Sequence, residues 1–144
     1  MRWSEKERSV GYLVKRVQQG LRRRCDAALK PTGLSMAQYA ALRALAEHPD
    51  ASAAELARLC FVTRQSLQDL LAGLRTAGLV ETVDAPPRGR ARSLRLTRRG
   101  SRQLKVADDA VFGVEAVMLQ GISASARRSV AEALTNCAEN LERL

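Results

Sequence analysis

Between Ala53 and Thr97 the apolar spacing switches from helical to alternating, and few folds accommodate that switch in so short a stretch. Leu56, Cys60, Val62, Leu67 and Leu70 fall where two short helices crossing over a tight turn need apolar contacts. Ala57 supplies the small residue that lets them approach. Ser52 and Thr63 stand as N-caps at the two helix starts, and Gly78 closes the second helix. Leu79-Val80-Glu81-Thr82-Val83 then reads as a strand, Asp84-Ala85-Pro86-Pro87-Arg88-Gly89 as turn material, and Ser93-Leu94-Arg95-Leu96-Thr97 as the returning strand. Alternation turns Leu94 and Leu96 inward, and Ser93 and Arg95 outward. The expectation is a helix-turn-helix running directly into a two-stranded wing. Phe61 occupies the turn, where glycine is common, which predicts altered turn geometry or a ring driven against a neighbouring helix.

The flanking sequence is helical. Val10, Leu13, Val17, Leu21, Ala28 and Leu29 mark an apolar stripe on a first helix from about Ser9 to Lys30, stopped by Pro31-Thr32-Gly33. Ser35 caps a second helix through Tyr39, Leu42 and Leu45 to about Glu47. A long helix from Arg98 carries Leu104, Val111, Val114 and Met118, and Gly121-Ile122-Ser123 interrupts it. In the last helix Val130, Leu134, Cys137, Leu141 and Leu144 recur at heptad spacing. The fold class is therefore mainly α with a small β-wing. With aromatic residues at 3%, Leu, Val and Ala must fill the core.

The charge balance, 24 Lys and Arg against 15 Asp and Glu for a net of +9, points to a polyanionic partner, nucleic acid or an acidic membrane surface. No apolar run approaches the roughly 18 residues that span a bilayer, and the N-terminus lacks a signal-peptide core, so a cytoplasmic protein is expected. The start of the helix-turn-helix's second helix presents Thr63, Arg64, Gln65, Ser66 and Gln68. Arg suits guanine and Gln suits adenine through paired hydrogen bonds in the major groove. Arg88, Arg90, Arg92 and Arg95 load the wing, and arginine at a wing tip can enter a narrow minor groove or hold phosphates. The competing readings are a solvated helix face and an ordinary charged hairpin.

Cys25, Cys60 and Cys137 are scattered, His48 is the single histidine, and nothing clusters as a metal site. No phosphate loop or nucleophile pairing is visible, so neither an enzyme nor a cofactor is expected. Cys25 follows Arg22-Arg23-Arg24, a setting that favours thiolate and oxidant sensing, against the alternative of a packed structural thiol. Tyr12, Tyr39 and Phe112 either line a cavity for an apolar effector or simply pack the core.

Helix, helix, helix-turn-helix, wing and two closing helices, in that order, resemble the MarR family of bacterial transcription regulators over nearly the whole chain. The residues that carry the likeness are Leu34-Ser35-Met36-Ala37-Gln38-Tyr39, Glu55-Leu56-Ala57, Leu70-Leu71, Leu74, Gly78-Leu79-Val80-Glu81, Arg90, Leu96-Thr97 and Gly100. The resemblance implies one chain domain over residues 1–144, with a winged helix-turn-helix at 35–97 and dimerisation helices at 9–30 and 98–144. It implies a homodimer meeting through Val10, Leu13, Val17, Val130, Leu134, Cys137 and Leu141. It implies double-stranded DNA as partner, with recognition helices in major grooves roughly 34 Å apart on a near-palindromic operator. It implies repression, relieved by a small lipophilic or phenolic effector or by cysteine oxidation. Two departures stand out. Arg88 replaces the usual wing aspartate, and Asp69 replaces a common recognition-helix arginine, where it can accept from cytosine or orient Arg64 or Arg75. The alternatives are a nonspecific architectural DNA binder, and a protein-interaction winged helix that has lost DNA binding.

Overall fold

A computed structural model describes residues 2–83 and 94–144. Among these, six α-helices and one two-stranded sheet follow in the order α1 (Val10–Leu29), α2 (Met36–Glu47), α3 (Ala53–Leu59), α4 (Arg64–Thr76), β1 (Val80–Thr82), β2 (Leu94–Leu96), α5 (Arg98–Met118) and α6 (Ala124–Glu142). No helix is long and apolar enough to cross a membrane, among the described residues. The chain divides into two compact units, 1–114 and 115–144.

Local chemistry sets the boundaries in the first unit. At α2 the Ser35 hydroxyl accepts from the Gln38 N–H while the Gln38 side chain accepts from the Ser35 N–H, a reciprocal cap that satisfies two otherwise unpaired donors. Ser52 accepts from the Glu55 N–H at α3, and Thr63 from the Ser66 N–H at α4, each at 3.1 Å. The end of α4 is a Schellman motif. Gly78 takes φ 76°, its N–H reaches the Arg75 carbonyl, and the Leu79 N–H reaches Leu74.

The core gathers residues from all these elements. Leu29, Leu42, Leu67 and Leu74 are its largest fully buried side chains, each worth about 1.5–3 kcal/mol of burial. Leu67, Leu71 and Leu74 recur on one side of α4, and α4 packs on both α2 and α3. The antiparallel strands pair Val80 with Leu96, Glu81 with Arg95 and Thr82 with Leu94. Leu94 and Leu96 turn inward and Arg95 outward, as alternation requires. At the start of α5, Thr97 donates its hydroxyl to the Gly78 carbonyl at 2.7 Å and its N–H to the Leu79 carbonyl at 3.0 Å. Gly100 lies directly over that carbonyl: a Cβ there would stand 1.9 Å from the Leu79 oxygen.

In the second unit Ser123 caps α6 by accepting from the Ala126 N–H. Arg127 donates from Nε to the Ile122 carbonyl and from Nη2 to Leu119, both at 2.9 Å, satisfying carbonyls that the end of α5 leaves open. No residue of α6 is buried.

Candidate nucleic-acid interface

The outward face of α4 is set by its inward one. With Leu67, Leu71 and Leu74 facing the core, Arg64, Gln65, Gln68 and Asp69 are left exposed at the N-terminal half of the helix. That half also carries the positive end of the helix dipole, which favours an anionic surface. Thr63 and Ser66 have a more local task than base reading. The Thr63 hydroxyl accepts from the Ser66 N–H and donates to the Ser66 hydroxyl at 3.0 Å, so both side chains are engaged in the cap. Gln65 donates from Nε2 to Asp69 Oδ1 at 3.3 Å. Asp69 therefore meets Gln65, one helical turn away, rather than Arg64 or Arg75.

Of the expected wing cations, Arg88, Arg90 and Arg92 lie outside the described residues. Arg95 is paired: its Nε meets Glu81 Oε1 at 2.8 Å across the strand register. Glu81 on the facing strand thus offsets one charge of this basic run.

The turn between α3 and α4 corrects a second expectation. α3 ends as α4 does, in a Schellman motif, with the Phe61 N–H on Arg58 and the Val62 N–H on Ala57. Phe61 holds the left-handed position at φ 56°, so the turn keeps its ordinary form. The ring is 95% exposed and rests on no neighbouring helix.

The three aromatic candidates separate. Tyr39 is buried and donates to Asp108 Oδ1 at 2.7 Å. Arg43 also meets that Asp108 oxygen, bonds Glu47 at 2.9 Å, and lies 5.3 Å above the centre of the half-exposed Phe112 ring. Tyr39 and Phe112 thus share one cluster through Arg43 and Asp108. Tyr12 is 41% exposed on α1. Cys25 is buried, which favours its packing role over contact with a peroxide, and burial pushes the half-buried Cys60 thiol up. Cys137 is exposed. Among the described residues no group of His, Cys, Asp or Glu could hold a metal ion.

Comparison with known proteins agrees with this geometry. The MarR family profile matches residues 32–91. The HTH-type transcriptional repressor Rv2887 of Mycobacterium tuberculosis is 37% identical over 119 residues, 83% of this chain and 86% of the relative. The chain belongs to the MarR family. A crystal structure of Rv2887 in complex with salicylic acid matches with a TM-score of 0.73 at 35% identity, covering 90% of this chain and 96% of that one. One of Rv2887 in complex with DNA matches at 0.71 and 35%, covering 90% and 97%.

Within this MarR-family winged helix, sequence reasoning missed Arg43 and Asp108. The signal was present: Asp108 puts a carboxylate on the apolar stripe between Leu104 and Val111, and Arg43 follows Tyr39 by one turn. Burial, and then the Asp108 carboxylate, push the Tyr39 phenol up to about 12. The stabilisation from its neutral form is complete below the ordinary tyrosine pKa near 10 and is lost as pH rises through about 12. Ultraviolet titration should show a phenolate that appears only near pH 12, and Tyr39→Phe should abolish that step. A tyrosine spectrum that titrates fully near pH 10 in the folded protein would refute it.

Proposed function

We propose that this chain is a dimeric, sequence-specific DNA-binding repressor whose hold on DNA is relieved by a small phenolic ligand. The observation that carries the reading is the exposed Arg64, Gln65 and Gln68 face of α4, held outward by a fully packed opposite face. The DNA complex of Rv2887, the 35% identical relative, supports the same assignment. Dimerisation is supported by apolar side chains left in solvent: Val10, Leu13 and Val17 on α1, and Val130, Leu134 and Leu141 on α6. Cys137 continues the α6 seam. Ligand release rather than oxidation is favoured by the burial of Cys25 and by the Tyr39–Arg43–Asp108–Phe112 cluster, where an aromatic wall adjoins a cation. Rv2887 with salicylic acid offers a precedent for such a ligand.

Titration against a duplex enriched from a random pool, and against its scrambled form, at several salt concentrations, tests this reading. Arg64→Ala or Gln65→Ala should cost about 1–3 kcal/mol on the enriched duplex and relax preference at particular base pairs. Arg90→Ala should weaken binding to both duplexes and lower the salt slope by about one. Equal affinity for the two duplexes in the parent would point to an architectural binder instead. Binding to neither would leave a protein-interaction module.

A further inference from the structure

We propose that Phe61 is a DNA-contacting residue, its ring set against the apolar wall of the duplex groove beside α4. The inference rests on the DNA-binding reading above. Four residues take positive φ among those described, and three are Gly33, Gly78 and Gly121. Phe61 is the fourth. Its position is the same left-handed step of a Schellman motif that Gly78 fills at the end of α4. A β-carbon there is unfavourable, and for a bulky side chain the conformation is a true outlier. A residue kept at such a position normally repays it through packing, yet this ring is 95% exposed. Strain without an internal contact directs attention to an external one.

The surroundings identify the occupant. Phe61 lies two residues before Thr63, the cap of α4, and precedes Arg64 by one turn's length of chain. The exposed Arg58 and Arg64 bracket it in sequence. Cations on either side of an apolar ring match the surface of a duplex, where phosphates flank deoxyribose carbons and thymine methyl groups. An apolar protein partner offers nothing to those guanidinium groups.

Phe61→Gly and Phe61→Asn test the proposal, because both residues accept the left-handed conformation. Each should melt no lower than the parent and bind the enriched duplex about 5- to 30-fold more weakly. Thymine-to-uracil replacement, one position at a time, then locates the contact. A loss at one thymine in the parent that vanishes in Phe61→Gly assigns the methyl group. An equal loss on enriched and scrambled duplexes, with no uracil effect, assigns deoxyribose. Parent affinity in both variants overturns the proposal, as does weaker binding that tracks a lowered melting temperature, the mark of a packing residue. Failure of the parent to bind any duplex would instead overturn the reading on which this one rests.

Discussion

Gly100→Ala should destabilise the protein by at least about 3 kcal/mol, a fall in melting temperature of about 10 °C for a chain of this size. The added methyl would stand 1.9 Å from the Leu79 carbonyl oxygen and 2.9 Å from its carbon. Both are backbone atoms, so no rotamer change relieves the clash. Retreat is blocked as well, because the same Leu79 carbonyl accepts the Thr97 N–H and the Thr97 hydroxyl holds Gly78. Separating the strands' end from α5 breaks those bonds. Gly73→Ala is the control. It is exposed on α4 with nothing within 4 Å of a built Cβ, and alanine there should raise stability by about 0.5–1 kcal/mol. Calorimetry of both variants decides the matter: equal melting temperatures would show that the Gly100 approach is not as close as described.

Leu134→Asp should convert the proposed dimer into a monomer and weaken binding to the enriched duplex about 100-fold or more. α6 is a helix of 19 residues with none buried, and a helix of that length without tertiary packing is marginal in water. Val130 at 49% and Leu134 at 45% exposure sit one turn apart on its apolar seam. A second copy of the chain covers that seam in the proposed assembly, and a carboxylate in its middle would be buried without a partner. Loss of pairing also removes the effective concentration that couples two half-sites, which accounts for the size of the drop in affinity. Sedimentation velocity and duplex titration at one protein concentration should report both effects. Glu132→Gln, a neighbouring change that adds no charge, should report neither. A Leu134→Asp protein that still sediments as a dimer would remove α6 from the interface.

Elements governed by near neighbours were legible in the sequence. Ser35, Ser52 and Thr63 each cap a helix by accepting from an N–H three residues on, and Gly78 ends α4 through bonds within one turn. Interactions that depend on tertiary placement were not. Tyr39 and Asp108 are 69 residues apart and meet only after α5 returns to α2. Glu81 finds Arg95 through a strand register that no local pattern specifies. At Phe61 backbone demand outweighs residue identity. The two Schellman bonds and the adjoining core fix the turn, and the side chain is carried outward with it. The Thr63 cap also engages the Ser66 hydroxyl, a pairing that residue spacing alone does not announce.

The contact of Gly100 on Leu79 has a mechanical side. With the Thr97 bonds it ties Gly78 and Leu79, the turn that follows α4, to the opening turn of α5 in a single joint. Farther along α5, Asp108 grips Tyr39 and Arg43 of α2. α5 is thus held at two separate places, the turn that ends α4 and the Tyr39–Arg43 face of α2, so a shift at either hold must be taken up by the helix between them or passed to the other.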